Sequence, residues 1–117
     1  IHERLVGSEM CIRDSNYTFL NLIIRIMIRL NVFVRVNETN REKAIEAAKE
    51  LTACSLKEEG CIAYDTFESS TRRDVFMICE TWQNAEVLAA HEKTAHFAQY
   101  VGIIQELAEM KLEKFEF

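Results

Sequence analysis

The chain has 117 residues, 49% of them apolar and 28% charged, enough for one domain with a real core and too little for two. Its net charge is -5 and its basic residues are scattered, so the electrostatic footprint of a DNA- or RNA-binding protein is missing and no nucleic acid partner is expected. The run Phe19 to Val36 is the one candidate for a membrane span, but Arg25, Arg29 and Arg35 interrupt it at about 2.5 to 3.5 kcal/mol each, which excludes a spanning helix.

Residues 1–26 read as foreign to the domain. They begin without methionine, set Arg4, Arg13 and Arg25 against Glu3, Glu9 and Asp14, and lack the small-residue cleavage site of a secretory signal. Ser8 to Ser15 resembles an adapter-derived read-through, which makes 1–26 a non-native or disordered extension and Met27 the natural start of a domain over 27–117. The other reading is an amphipathic extension, because Leu20, Leu22, Ile24 and Ile26 keep the period-2 phase of the strand that follows.

From Ile28 the alternation is strict. Ile28, Leu30, Val32, Val34 and Val36 point one way, and Arg29, Asn31, Phe33, Arg35 and Asn37 point the other, which predicts a first strand with one fully apolar face. Thr39-Asn40-Arg41-Glu42 matches the Ser/Thr-x-x-Glu capping box. Ala44, Ala47, Ala48, Leu51 and Cys54 then recur at helical spacing up to Gly60, predicting a helix over 40–59.

Cys61 to Glu68 and Asp74 to Trp82, rich in aromatic and β-branched residues, predict two strands joined by a polar hairpin loop from Ser69 to Arg73. Asn84 predicts the cap of a short helix through Val87, Leu88 and His91. Thr94 predicts the cap of a second, with the apolar stripe Phe97, Tyr100, Val101, Ile104, Leu107 and Ala108. Met110 to Phe117 predicts a last strand whose apolar positions 110 and 112 fall out of phase with 115 and 117, so a bulge or twist is expected near Glu113.

The order β-α-β-β-α(α)-β predicts a ferredoxin-like α+β fold with an antiparallel sheet covered by helices on one face. The uncovered face carries Arg29, Asn31, Phe33 and Arg35, too aromatic to be wholly solvent and too polar to be core. It predicts a homodimer in which two copies stack sheet against sheet around a shared cavity, a dimeric α+β barrel. Cys11, Cys54, Cys61 and Cys79 show neither CxxC pairing nor metal-ligand spacing. They are expected as free, small buried hydrophobes in a reduced, cytoplasmic protein with no metal.

Chemistry-bearing residues concentrate late in the chain. Glu80 and Trp82 end a strand, and His91 and His96 follow on helical segments; all these residue types can touch one aromatic substrate. Glu80 shares a strand face with Phe76, Ile78 and Trp82, so its buried carboxylate needs a partner: His91, His96, or Arg35 in a structural ion pair.

Lys57-Glu58-Glu59-Gly60-Cys61-Ile62-Ala63-Tyr64 resembles the E-x-G-C-x-x-Y turn of the antibiotic biosynthesis monooxygenase (ABM) domains. Glu80-x-Trp82, Leu88-x-x-His91 and Thr94-Ala95-His96-Phe97 resemble the E-x-W, A-L-x-x-H and T-P-H-F elements of that family, with Ala95 where proline is usual. The likeness covers essentially all of 27–117, and its specificity lies in order and spacing.

The resemblance implies a dimeric α+β barrel and a cofactor-independent oxygenation of phenols, hydroquinones or anthrones, closest to the quinol monooxygenase-like subgroup. The expected partners are then a small aromatic substrate and O2, with no cofactor. Such chemistry needs a base, a donor for the oxyanion and a dry pocket, and an imidazole with an ordinary pKa of about 6.5 suits the first task.

His91 and His96 are the candidate bases, His91 favoured because it shares a helical face with Leu88 and points inward. Asn31 is the expected donor to the substrate oxygen, Trp82 and Phe33 the expected stacking platforms, Arg29 or Arg35 the stabiliser of the anion, and Tyr64 a further substrate contact. Each also has a structural reading: Trp82 as a packing anchor, His91 as a bridge between helix and sheet, His96 as a helix-end residue, Asn31 as a bonded lining residue.

Isomerisation of a small phosphorylated signalling molecule, using His91, Glu80 and the arginines, and a non-catalytic ligand-binding dimer are the alternatives. Haem degradation is set aside, since His91 and Val101 stand where the tryptophan and axial histidine of such barrels belong.

Overall fold

β1, Ile28–Val36, buries every even residue on one face, with Ile28 and Val34 wholly enclosed. In the computed structural model, which describes residues 26–117, this strand is the centre of the molecule; the expectation for 1–26 lies, apart from Ile26, outside the described residues. The remaining elements are α1 (Glu38–Ser55), β2 (Cys61–Glu68), β3 (Val75–Trp82), α2 (Ala85–His91), α3 (Ala95–Leu107) and β4 (Ala108–Glu116).

β1 pairs antiparallel with β3 on one side and β4 on the other, and β2 adds to β3, giving the sheet order β2-β3-β1-β4 of a ferredoxin-like α+β fold. The core forms where Ala44, Ala48 and Leu51 of α1 and Ile104 of α3 meet the even face of β1 and Phe76 and Ile78 of β3. Among the described residues no helix is long and apolar enough to cross a membrane. Cys54, Cys61 and Cys79 are free and half-buried.

Three local expectations are corrected. α1 begins at Glu38 because the Asn37 carboxamide accepts the Asn40 N–H at 2.9 Å, so the N-cap is Asn37 rather than Thr39. α1 also ends at Ser55 rather than 59: the Lys57 and Glu58 N–H groups bond back three residues, to the Cys54 and Ser55 carbonyls, and the chain leaves the helix axis.

Gly60, at φ +86°, therefore makes the turn into β2 rather than capping the helix, and a Cβ there would stand 2.5 Å from the Val87 side chain. Only glycine meets both demands, the left-handed backbone and the close approach of α2.

β4 has no bulge. Its register to β1 runs unbroken from Ile28↔Glu116 to Val36↔Ala108, and the irregularity of the sheet lies instead between Cys61 and Ala63 of β2. The phase change read near Glu113 has another cause: Met110 and Leu112 lie opposite Val34 and Val32 on the helix side, whereas Phe115 lies opposite Arg29 on the other. One strand serves two faces.

The face without helices carries an in-register row of Phe67, Met77 and Phe33 across β2, β3 and β1. Phe33, Phe67 and Phe115 are 37%, 51% and 49% exposed, an apolar area that solvent does not favour.

Candidate active site

The site is built where the turn after α1, the end of α2 and the start of α3 converge on the even face of the sheet. Asn84 starts α2 by accepting the Val87 N–H, and Thr94 joins α2 to α3. The Thr94 hydroxyl donates to the His91 carbonyl at 2.7 Å and accepts the Phe97 N–H at 3.2 Å, so one side chain fixes His91 at the end of one helix and His96 in the first turn of the next. This bonding holds the turn that Ala95 leaves without a proline.

His91 is 1% exposed. Its ring lies against Trp82, centroids 4.4 Å apart and planes 35° apart, while Phe97 and Tyr64 meet it edge-on at 5.1 and 5.8 Å. Three aromatic rings thus leave the imidazole little freedom to rotate.

Nδ1 of His91 lies 2.7 Å from Oε2 of Glu58, and Nε2 of His96 lies 2.6 Å from the same oxygen. An ionised carboxylate can only accept, so with both rings donating to Glu58 a neutral His91 has its lone pair on Nε2. That nitrogen is buried without a hydrogen-bond partner among the described residues, 4.0 Å from Oε1 of Glu80.

Glu80, from β3, accepts the Trp82 indole N–H at 2.8 Å. Burial pushes its carboxyl up to about 7 against the opposing pull of bonds from Trp82 and Tyr64, with Glu92 and Glu58 adding to the rise. Burial, then the charge of Glu80, likewise holds the Tyr64 hydroxyl well above the usual phenol range. Burial raises the Cys61 thiol to about 11, so this cysteine is no thiolate nucleophile near neutral pH.

His91, Glu80 and Tyr64 border a cavity of about 200 Å³ between sheet and helices, whose other walls include Leu30, Val32 and Phe97. Exposed Glu92, Gln105 and Leu112 form its outer part. The volume lies below the roughly 300–1,000 Å³ of drug-sized ligand pockets, which suits one or two fused rings.

The structure brings Glu80, Trp82, Tyr64, His91 and His96 together. Arg29, Asn31, Phe33 and Arg35 do not join them: with Leu30 and Val32 in the cavity wall, alternation directs the odd residues of β1 to the opposite face. There Asn31 accepts the Cys79 thiol at 3.2 Å, Arg29 lies 5.4 Å over the Phe117 ring, and Arg35 pairs with Glu109 instead of Glu80. Trp82 stands behind His91 rather than on the cavity wall.

Glu58 is the site residue that pattern reading passed over. Its signal was its place as the first letter of the E-x-G-C turn, two residues before the glycine that reverses the chain toward β2.

A mostly apolar space with one unpartnered imidazole nitrogen at its edge has the general character of a small-molecule site. Residues 27–102 match the family model of antibiotic biosynthesis monooxygenase. A Bacillus subtilis (strain 168) protein carrying the name "Putative monooxygenase YcnE" is 32% identical over 87 residues, 74% of this chain and 92% of that protein.

The crystal structure of a conserved protein from Bacteroides thetaiotaomicron VPI-5482, described as a possible oxidoreductase, is 98% identical, covers 80% of this chain and 99% of its own, and superposes with a TM-score of 0.79. A conserved protein from Methanosarcina mazei Go1, 22% identical over 79% of this chain and 93% of its own, shares the fold at a TM-score of 0.74. The chain belongs to the antibiotic biosynthesis monooxygenase family.

Proposed function

We propose that the protein oxidises a small quinol- or phenol-like aromatic with O2, without a cofactor. One observation carries the reading: the buried, unpartnered Nε2 of His91 at the edge of an apolar cavity of about 200 Å³. Nε2 takes the proton of a ring hydroxyl, and the resulting anion is electron-rich enough to reduce O2 within a mostly apolar space.

A hydroquinone and O2 then give a hydroxyquinone and water. The atoms and electrons balance, because the ring supplies the four electrons that O2 accepts. Protonated Glu80, 4.0 Å from Nε2, is placed to donate to the developing oxygen anion, and the Tyr64 hydroxyl borders the same space. Among the described residues the cavity wall includes Glu80 and Glu92 and no lysine or arginine, which favours a neutral aromatic over the phosphorylated substrate of the isomerase alternative.

Oxygen uptake with menadiol tests the reading. The expected result is one O2 consumed per quinol above the enzyme-free rate, with one atom of ¹⁸O from labelled O2 in the quinone product. Binding of menadione without turnover would leave a non-catalytic binding protein.

We further propose that a second copy covers the face bearing Phe33, Phe67 and Phe115, whose exposure is otherwise unexplained. Sedimentation velocity is expected to show a dimer at micromolar concentration and a monomer for Phe33→Asp; a monomeric wild type would remove the proposal.

A further inference from the structure

We propose that Glu58 and His96 form a positioning pair for His91, in which Glu58 fixes the tautomer that leaves Nε2 basic and His96 serves only to hold Glu58. The inference rests on the reading of His91 as the base and assigns the two histidines different work. Their side-chain exposures separate them: His91 is 1% exposed, Glu58 15% and His96 23%, so only His91 is sealed inside. His91 borders the cavity, whereas Glu58 and His96 do not.

The bonding supports the same division. A single oxygen, Oε2 of Glu58, meets Nδ1 of His91 at 2.7 Å and Nε2 of His96 at 2.6 Å. With its Nδ1 proton committed to Glu58, the His91 ring presents Nε2 as its acceptor, and the carboxylate stabilises the imidazolium that forms when Nε2 takes a proton. His96 holds the oxygen from the other side. Thr94, which sets the spacing of the two rings, makes the arrangement a property of the α2–α3 turn.

The test combines ring ¹⁵N NMR with kinetics on the whole chain. In the wild type the spectra should show His91 protonated at Nδ1 and His96 at Nε2, a result that needs no turnover and so stands apart from the proposed activity. Glu58→Gln should mix the His91 tautomers and lower kcat about 10² to 10⁴-fold with little change in KM.

His96→Leu should lower kcat about 10- to 100-fold by loosening Glu58, and His96→Gln, whose amide N–H replaces Nε2–H, should restore most of it. The proposal fails if wild-type His91 carries its proton on Nε2, if Glu58→Gln keeps full turnover, or if His96→Gln is as impaired as His96→Leu. The three donors also match a two-histidine, one-carboxylate metal set. Stoichiometric Zn²⁺ binding that raises Tm and is lost in Glu58→Gln would replace the positioning role with a metal site.

Discussion

Replacing His91 with glutamine is expected to lower kcat/KM by about 10² to 10⁴, the usual contribution of a positioned base, while substrate binding changes by only a few fold. Glutamine fills the volume between Trp82, Phe97 and Tyr64 more nearly than alanine would, which limits collapse of a site where the native ring is 1% exposed. Binding can be read separately from chemistry, because Trp82 is the chain's single tryptophan and lies 4.4 Å from the ring being replaced. Quenching of its fluorescence by an oxidised quinone, measured without oxygen, reports affinity; oxygen uptake reports turnover. A His91→Gln protein with wild-type kcat would place the base elsewhere even with the fold unchanged.

The second large effect concerns Glu80 and appears in stability. Burial raises its carboxyl from 4.5 to about 7, so the folded protein holds this proton more tightly than the unfolded chain does. Stability from this group is therefore greatest below about pH 4.5 and falls as pH rises toward 7, by about 3 kcal/mol in all, then levels off.

Glu80→Gln mimics the protonated acid and still accepts from the Trp82 indole, so it should lack this slope and gain on the wild type across that window. Glu38 and Asp74, lowered by bonds to Arg73 and Arg72, titrate in both proteins and cancel in the difference. Urea denaturation at several pH values between 4.5 and 8 measures the two curves; parallel curves would mean that Glu80 is ionised throughout.

Much of the frame was legible in the residues. Strict alternation in β1 separated Ile28, Leu30, Val32, Val34 and Val36 from their neighbours, and the short polar side chains of Asn84 and Thr94 marked two helix starts, because both signals act over a few residues. The caps at Thr39 and Gly60 were misplaced for a related reason. Several residues near a helix end can bond the same backbone groups, and only the packed chain selects among them, here Asn37 at the start and a turn at Leu56 to Gly60 after the end.

The sequence by itself determined which residues of each strand share a side, where most elements begin, and that Glu80 would be enclosed with Trp82, since these depend on side-chain period and polarity within one segment. Only the tertiary structure decided that the cavity lies on the apolar, helix-covered side, away from Asn31 and Phe33, and that Glu58 reaches His91 and His96 across 33 and 38 residues. Polarity along β1 told which face the helices cover, but not on which side of the sheet the packing would leave a cavity. Contacts between distant segments arise only when loop closure brings them together, so no local pattern records them.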